Sequence, residues 1–427
     1  MKIINVSRKG LICFLLLVLY KFTLDISYVF GVSKIYKYMG FDVEFNLLKY
    51  IILSLITLIL LVPVLINLQS NKPSCLAVFL ISVLYFLPGM TYLAFVNIDT
   101  LYILFYCFYW LLMVFWSSFF SKLRLSIKHA DLLSSRLFLA IFLAMCFLIV
   151  FYVSGKYTGF RFHFSFSDVY ELRAEEREMN MSKYLQYLVP IISSVLPCLV
   201  VYYMVVKRYV YVLGLILLEL FLFGLGGSKS IIFMLFISIL IPFFYKNTRL
   251  IYLPALLGSF NIIGLLEYFL FQKSLIFSYI NHRTLLLPNQ ISYFIFDFIE
   301  KNEFLYLRES VLRFFGFDSP YARSIFFIIG EEYYNDTFTR ANTGLVGDAY
   351  SQFGFSSLIV YPLLIPFVFT IFDLVSRQLD YRVKFIVIFL FSYTFINGSF
   401  FTVLLTSGFL IIILLYYFIN SSIYYNR

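Results

Sequence analysis

The chain has 427 residues, of which 62% are hydrophobic, 22% are aromatic and only 13% are charged, and its formal net charge is +10. An ordinary globular domain is about 25% charged, and a soluble protein of this length could not hide such an apolar excess from water. This composition excludes a soluble enzyme, a disordered chain and a nucleic-acid-binding domain. We therefore expect a lipid bilayer as a partner of this chain, and no nucleic acid.

Apolar segments of about 20 residues, the length that crosses a bilayer, recur along the whole chain. They predict an all-α polytopic membrane protein with about twelve transmembrane helices, forming a single transmembrane domain over residues 1–427. The last two predicted spans are separated by a turn signal at Asn397, Gly398 and Ser399. The twelve candidate spans are Leu11–Phe30, Leu47–Leu68, Ser74–Val96, Leu101–Phe120, Leu137–Val153, Tyr184–Val206, Tyr209–Leu225, Ser230–Tyr245, Leu250–Phe271, Ser356–Val375, Phe385–Asn397 and Phe400–Ile419.

Lysine and arginine residues are distributed unequally between the two sides of this predicted topology. The termini and short loops of one side collect sixteen of them, whereas the short loops of the other side hold only Lys34, Lys37 and Lys229. By the positive-inside rule both termini lie in the cytoplasm, so the basic excess is mainly a topology signal. The basic residues before the first span are not followed by a small-residue cleavage site, which predicts a retained anchor.

Two polar segments on the predicted outer side are much longer than the other connections. They are Ser154–Lys183 and Gln272–Phe355, and both are predicted to contain amphipathic helices. Loops longer than a connection requires are usually functional. We expect the second of these extracytoplasmic loops to carry the active site.

The first long loop contains a charged stretch with helical periodicity. Ser167 is its predicted N-cap. At about 100° per residue, Tyr170, Arg173 and Arg177 share one helix face, while acidic residues share another. The pattern fits a solvated helix stabilised by i,i+4 ion pairs, and it equally fits an arginine face turned toward an anionic substrate.

The segment Gly224–Ser230 superficially resembles a phosphate-binding loop. A phosphate-binding loop has a glycine directly before its lysine and follows a strand. Here the residue before Lys229 is Ser228, and no strand precedes the segment. Ser228 can nevertheless cap the eighth span, which leaves free N–H groups beside Lys229. A helix N-terminus next to a lysine is a good anion site, and the alternative is a plain turn with an interfacial lysine.

Basic and aromatic residues mark the start of the second long loop. His282 and Arg283 follow the ninth span, and Asn289 is predicted to cap an aromatic helix. Further along, Phe304–Phe315 and Tyr321–Ile329 are predicted to lie as amphipathic segments in the membrane interface. Their arginines fit simple interfacial anchors, and these are Arg308, Arg313 and Arg323.

The second long loop ends in a glycine-rich run from Arg340 to Gly354. Its glycines let the backbone approach another group closely, beside the charged residues Arg340 and Asp348. Arginine suits bidentate recognition of phosphate better than lysine does, so several arginines on the outer side suggest a lipid-linked phosphate or diphosphate as the ligand. The alternative is a tight contact between helices.

Metal-ligand patterns are weak in this sequence. The five cysteines lie within apolar spans, and the three histidines form no cluster. Asp42 and Glu44 in the first outer loop are paired carboxylates that could bind a metal or act as a general base, although a short solvated loop explains them as well. We expect no cofactor and no metal site.

Three groups of residues resemble the motifs of a known family, the bacterial Wzy-type oligosaccharide repeat-unit polymerases of O-antigen and capsule synthesis. The resemblance covers roughly the C-terminal half of the chain in its motifs and the whole chain in its topology. The matching residues are Gly226, Gly227, Ser228 and Lys229; Arg283, Pro288, Ser292 and Tyr293; and Arg340, Ala341, Asn342, Thr343, Gly344, Asp348, Tyr350 and Gly354.

This resemblance implies a membrane-embedded glycosyltransferase of the C type on the outer face of the bacterial cytoplasmic membrane. Such an enzyme transfers a growing glycan from one undecaprenyl diphosphate to the repeat unit carried by another, and the product is O-antigen, capsule or exopolysaccharide. The implied partners are the undecaprenyl-diphosphate-linked oligosaccharide and, from the same pathway, a chain-length regulator and a flippase.

The resemblance also implies roles for individual residues. The leaving group is a diphosphate, so Arg283 and Arg340 are expected to stabilise the charge that develops on it. The general base is expected among His282, Asp348, Glu331 and Glu332. The residues expected to contact the diphosphate or the glycan are Arg173, Arg177, Lys229, Asn342 and Tyr293.

Three other functions remain open on the sequence. O-antigen ligases, which the pattern also resembles, carry a histidine where this chain has Ala341, Asn342 and Thr343, so a polymerase is favoured. A lipid-linked oligosaccharide flippase, which is not an enzyme, should place its charged residues inside the helix bundle, whereas here polar residues concentrate in the outer loops. A C-type transferase that uses a metal at Asp42 and Glu44 is the third.

Overall fold

The computed structural model describes residues 8–128, 130–161, 172, 175–176, 178–245 and 247–425. Every regular element within these ranges is a helix, which confirms the all-α class predicted from composition. Nine of the described helices are long and apolar enough to cross a membrane, or ten if one bent pair is counted as a single span.

The helices of the chain are numbered in order. Eight of the nine long apolar spans are the single helices α1 (Arg8–Ile35), α2 (Leu47–Leu68), α3 (Pro73–Phe95), α4 (Thr100–Lys122), α5 (Leu132–Thr158), α6 (Lys183–Val205), α7 (Tyr209–Gly226) and α9 (Leu250–Phe271). The ninth span, Phe400–Ser421, is formed by α15 (Phe400–Leu405) and α16 (Phe409–Tyr425) together. The remaining helices are α8 (Lys229–Phe244), α10 (Leu287–Glu300), α11 (Ile325–Tyr334), α12 (Leu345–Phe353), α13 (Tyr361–Val375) and α14 (Tyr381–Asn397).

Three of the twelve predicted spans differ from the helices that form. Helices α8 and α14 have 16 and 17 residues, which is shorter than the usual length of a span. The predicted span Ser356–Val375 is instead α13, which is bent by 87° from the preceding helical segment Leu345–Ile359. Gly354 ends α12 with a φ of +55°, a conformation that glycine adopts without strain.

The described helices group into two compact units. The first unit comprises Met1–Leu123, Thr248–Thr370 and Ser392–Phe401, and the second comprises Arg124–Asn247, Ile371–Phe391 and Thr402–Arg427. The predicted site residues of the second long loop all belong to the first unit. Lys229 and the first long loop belong to the second.

The core of the first unit is built around α3. Nearly every residue of this helix is buried, as expected for a helix that is apolar on all sides. A cluster of aromatic rings joins it to α4: Trp110 lies 4.8 Å from the ring of Phe86, and Tyr106 lies 6.2 Å from that of Tyr85, between ring centroids. Three π-helical segments occur in this unit, at Tyr28–Val32, Ser82–Phe86 and Phe277–Leu286.

A buried ion pair connects three helices of the first unit. Lys21 Nζ lies 2.5 Å from Asp25 Oδ1 on α1. The same carboxylate accepts hydrogen bonds from Thr91 of α3 at 2.7 Å and from Tyr50 of α2 at 3.0 Å. Charged side chains at membrane depth are expensive unless they are paired, and here the lysine is paired with a carboxylate that accepts three hydrogen bonds.

The second unit contains a buried carboxyl group of a different kind. Glu219 lies in the middle of α7 and is completely buried. Neither of its carboxyl oxygens has a hydrogen-bond partner among the described residues. A polar group buried without a partner lowers the stability of the fold.

Replacing Glu219 with leucine should therefore stabilise the protein. We expect Glu219→Leu to raise the free energy of unfolding by about 1–3 kcal/mol, since it removes an unpaired polar group and keeps a similar volume. The control is Glu219→Gln, which keeps a buried polar group and should leave stability nearly unchanged. Thermal unfolding of both variants in one detergent tests this, and a lower midpoint for Glu219→Leu would contradict it.

Candidate functional site

The candidate site of the first unit begins with the π-helix Phe277–Leu286, which runs directly into α10. Pro288 has no N–H to donate, and the wide turns of the π-helix carry the chain past it without a break. The prediction that Asn289 caps this helix is therefore wrong. Asn289 is buried inside the continuous helix, where its Nδ2 donates to the carbonyl oxygens of Tyr85 at 3.2 Å and of Leu285 at 3.1 Å.

His282 lies on this π-helix and is buried, with 7% of its surface exposed. Its ring stacks on Tyr36, with centroids 3.9 Å apart, and meets the ring of Phe41 edge-on at 5.1 Å. Its Nε2 atom has no hydrogen-bond partner among the residues described. Burial, and then the charge of Arg283, lower the pKa of His282 to about 4, so the imidazole is neutral at pH 7.

This lowered pKa predicts a pH dependence of stability. An unfolded imidazole titrates near 6.5, so the contribution of His282 is fully present above that pH and is lost as the pH falls toward 4. We expect a loss of about 2–3 kcal/mol by pH 4.5 from this residue. A His282→Gln variant should lose less stability than the parent between pH 7 and 4.5 in unfolding measurements; parallel curves for the two proteins would contradict the prediction.

The first turns of α10 are joined to the glycine-rich run through buried hydroxyl groups. Thr343 Oγ1 donates to the carbonyl oxygen of Pro288 at 2.9 Å and lies 3.0 Å from Ser292 Oγ. Ser292 Oγ is in turn 2.7 Å from the hydroxyl of Tyr85 on α3. Gly347 packs so closely against Ser292 and Thr343 that a β-carbon would clash. The start of α10 and the glycine-rich run, which are distant in sequence, are thus in direct contact.

Asp348 follows in α12 and is also buried. Its Oδ2 accepts a hydrogen bond from the backbone N–H of Phe400 at 2.8 Å, and Gln352 Nε2 lies 3.3 Å from its Oδ1. The carboxyl group thereby satisfies the first N–H of α15. It also lines a cavity of about 10 Å³ together with the hydroxyl-bearing side chains of Tyr109 and Tyr361. The Asp348 carboxylate therefore anchors the start of α15.

The arginines of the second long loop fall into two groups. Arg308 donates to the carbonyl oxygens of Phe304 and Leu305, at 3.1 and 3.2 Å. Arg323 is bonded to Glu331 at 3.1 Å and to the carbonyl oxygen of Thr337. The side chains of the second group are exposed and make no hydrogen bond or ion pair with any described residue; its members are Arg283, Arg313 and Arg340.

Arg340 is placed over a pair of aromatic rings. Its guanidinium carbon lies 5.9 Å from the ring centroid of Phe326 and 6.0 Å from that of Phe327. The backbone beside it is held as well, because the N–H of Ala341 donates to the carbonyl oxygen of Phe326 at 3.0 Å. Stacking on aromatic faces restricts a guanidinium while leaving its N–H donors free.

The two predicted amphipathic segments form differently. Most of Phe304–Phe315 is turns, with one 3₁₀ turn at its end. Tyr306 and Leu307 have positive φ angles, and the N–H of Leu307 donates to the side chain of Gln352 at 2.7 Å. The second predicted segment contributes only the start of α11, where the Glu309 carboxylate accepts the N–H of Ile325 at 3.1 Å. In both segments, backbone N–H groups thus donate to side chains far away in the sequence, where a continuous amphipathic helix was predicted.

The other predicted residues are distributed over both units. Asn342 is exposed, and Tyr293 is half-buried with its ring centroid 5.3 Å from that of Tyr102. In the second unit, Lys229 is the exposed first residue of α8, and the Ser228 hydroxyl at the N-cap lies 2.7 Å from that of Ser230, not at a backbone N–H. Ser167, Arg173 and Arg177 lie outside the described residues.

Four acidic residues named from the sequence also have defined positions. Glu331 is paired with Arg323. Glu332 is exposed and is not paired with any described residue. Glu44 is likewise exposed, whereas Asp42 is half-buried and its carboxylate lies 3.8 Å from Lys37 Nζ.

The first outer loop, which follows α1, packs against the candidate site, and the sequence did not predict these contacts. Besides the stacking of Tyr36 on His282, the Tyr36 hydroxyl donates to Ser278 Oγ at 2.6 Å, and Gln290 Nε2 donates to the carbonyl oxygen of Met39 at 2.6 Å. The loop thus covers the π-helix. The left-handed Gly40 between aromatic residues is the one local signal that a fixed turn forms there.

No group of three or more His, Cys, Asp or Glu side chains within the described ranges is arranged to hold a metal ion. The five cysteines are free thiols on apolar helices. Comparisons with protein-family models, with curated proteins and with solved structures find no match for this chain.

Proposed function

We propose that this protein is a membrane glycosyltransferase that polymerises undecaprenyl-diphosphate-linked oligosaccharide repeat units into O-antigen, capsule or exopolysaccharide. Two exposed and unpaired arginines, Arg283 and Arg340, carry this proposal. Along the chain, each precedes by a few residues one partner of the contact in which Thr343 is bonded to Pro288. Cations without internal partners, held next to a buried frame, are what a departing diphosphate needs.

In this proposal the arginines act as an electrostatic clamp. When the bond between the glycan and the diphosphate breaks, negative charge grows on the diphosphate oxygens, and a planar guanidinium can bind two of them at once. The hydroxyl network of Tyr85, Ser292 and Thr343 keeps the surrounding backbone fixed, so little reorganisation is needed. His282 and Asp348 support this frame from buried positions, and Glu331 is paired with Arg323, which leaves Glu332 as the candidate for the general base.

The proposed location is the cytoplasmic membrane of a bacterium, with many spans and both termini in the cytoplasm. Support comes from the uneven distribution of lysine and arginine among the loops and termini. The two long loops then face the outer side, where lipid-linked repeat units are available and nucleotides are not. The diphosphate carrier therefore supplies the leaving group without a nucleotide.

Deletion of the gene in its own bacterium tests the proposed function. A polymerase is expected to leave surface glycans that carry a single repeat unit, because transfer and export continue. Loss of a ligase would leave long glycans on the carrier lipid, and loss of a flippase would leave lipid-linked units on the cytoplasmic side. Electrophoresis of surface glycans, with analysis of the carrier-lipid pool, separates the three results; either of the last two would overturn the proposal.

Removal of divalent cations is expected to leave activity intact. The proposed clamp uses arginines for the charge on the diphosphate, so polymer formation by the purified protein should continue in excess chelator. If activity falls and returns with Mg²⁺ or Mn²⁺, the transferase that uses Asp42 and Glu44 becomes the better account.

A further inference from the structure

The second unit contains an open cleft where α5 ends and α6 begins. Its volume is about 420 Å³, within the range of roughly 300–1,000 Å³ that is typical of small-molecule sites. It is lined by Tyr152, Lys156, Tyr157, Asn180, Ser182, Tyr184 and Leu185.

Lys156 is the one charged residue among the described residues that line the cleft. Its Nζ atom lies 5.5 Å from the ring centroid of Tyr152 and 5.2 Å from that of Tyr157. It also lies 3.2 Å from the Tyr152 hydroxyl oxygen, to which it donates. These contacts hold the ammonium group beside the tyrosine rings, where it keeps its charge and can still donate to a ligand.

The floor of the cleft is fixed while its rim is open. Tyr157 and Leu185 pack against the buried cluster of Val153, Met181 and Leu225. By contrast, Tyr184 has 82% and Tyr152 has 54% of its surface exposed. The cleft therefore offers aromatic faces to a ligand without requiring any core residue to move.

We propose that this cleft binds the glycan part of a lipid-linked oligosaccharide. Sugar rings have apolar C–H faces and a rim of hydroxyl groups, and the cleft provides tyrosine faces together with hydroxyl, amide and ammonium groups. Phosphate sites typically use several charged donors or a bidentate arginine, whereas one lysine among neutral side chains lines this cleft. The identity of the glycan as a repeat unit rests on the proposed function, whereas sugar binding does not.

Binding can be measured without any catalysis. The purified full chain in lipid nanodiscs is titrated with oligosaccharide released by mild acid from the surface glycan of the source bacterium, and saturation-transfer NMR reports contact. We expect Tyr184→Ala and Tyr152→Ala to weaken binding by roughly tenfold each, with a smaller loss for Lys156→Gln. Tyr209→Ala removes an equally exposed tyrosine outside the cleft and should bind like the parent.

The possible results separate this inference from the proposed function. No binding, or binding unaffected by Tyr184→Ala and Tyr152→Ala, overturns the glycan site. Binding of glycerol 1-phosphate that depends on Lys156 also overturns it, in favour of a lipid headgroup site. If the oligosaccharide binds in the cleft but the chain forms no polymer, the glycan site stands and the polymerase proposal fails.

Discussion

Replacing Arg283 or Arg340 with alanine is expected to reduce polymer formation by at least about a hundredfold while leaving the amount of protein in the membrane unchanged. Loss of one preorganised donor to a developing charge typically costs about 10²–10³ in rate. The fold should tolerate the changes, since both side chains are exposed and make no hydrogen bond or ion pair with any described residue, and Arg340 contacts only the rings of Phe326 and Phe327. Arg→Lys variants at the two positions should recover little activity if binding is bidentate.

Arg313 provides a matched control for this prediction. It belongs to the same long loop, and its side chain is exposed and likewise makes no hydrogen bond or ion pair with any described residue. It lies in the separate 3₁₀ turn Leu312–Phe315, away from the contact between Thr343 and Pro288 along the chain. Arg313→Ala should keep nearly full activity. Equal losses for all three variants would mean that only the overall positive charge of the loop matters.

Replacing Asp25 with alanine is expected to have the largest effect on stability, a loss of about 3–5 kcal/mol in the free energy of unfolding. Removal of one member of a buried ion pair leaves the other charge uncompensated, and here it is Lys21, whose side chain is 13% exposed. Tyr50 and Thr91 lose their acceptor in the same step. Unfolding in detergent of the parent and the variant measures the difference.

A double variant shows whether this cost comes from the uncompensated charge. In Lys21→Leu with Asp25→Leu no charge is left in the interior, so most of the lost stability should return. If the double variant is as unstable as Asp25→Ala, the hydrogen bonds from Tyr50 and Thr91 carry the effect instead. An Asp25→Ala protein as stable as the parent would contradict the assignment altogether.

The sequence was most informative where a single physical effect decides the structure. Hydrophobic length alone predicted Leu47–Leu68 and Leu250–Phe271 with the bounds that the helices have. It predicted twelve spans, whereas nine described helices, or ten with the bent pair, are long and apolar enough, because a helix pair bent between Ile359 and Tyr361 and two short apolar helices look like spans in the sequence. Hydropathy does not record where a helix bends.

The candidate site was predicted less well, because its contacts join distant parts of the chain. Asn289 looks like a helix cap until the π-helix before it is known. Asp348 looks like a free acid until Phe400 is found beside it. The close approach at Gly347 was expected, but its partner Ser292 was not. No local periodicity encodes which of several arginines remains unpaired, and only the structure separates Arg308 from Arg340.

The most direct test of the proposed polymerase is a reaction with a single substrate. The purified protein in lipid nanodiscs is given only the undecaprenyl-diphosphate-linked repeat unit of its bacterium, and the products are separated by size. The account predicts a ladder of glycans spaced by one repeat unit, which Arg283→Ala abolishes and Arg313→Ala retains. Absence of a ladder on verified substrate, or transfer only after a lipid A–core acceptor is added, would contradict it.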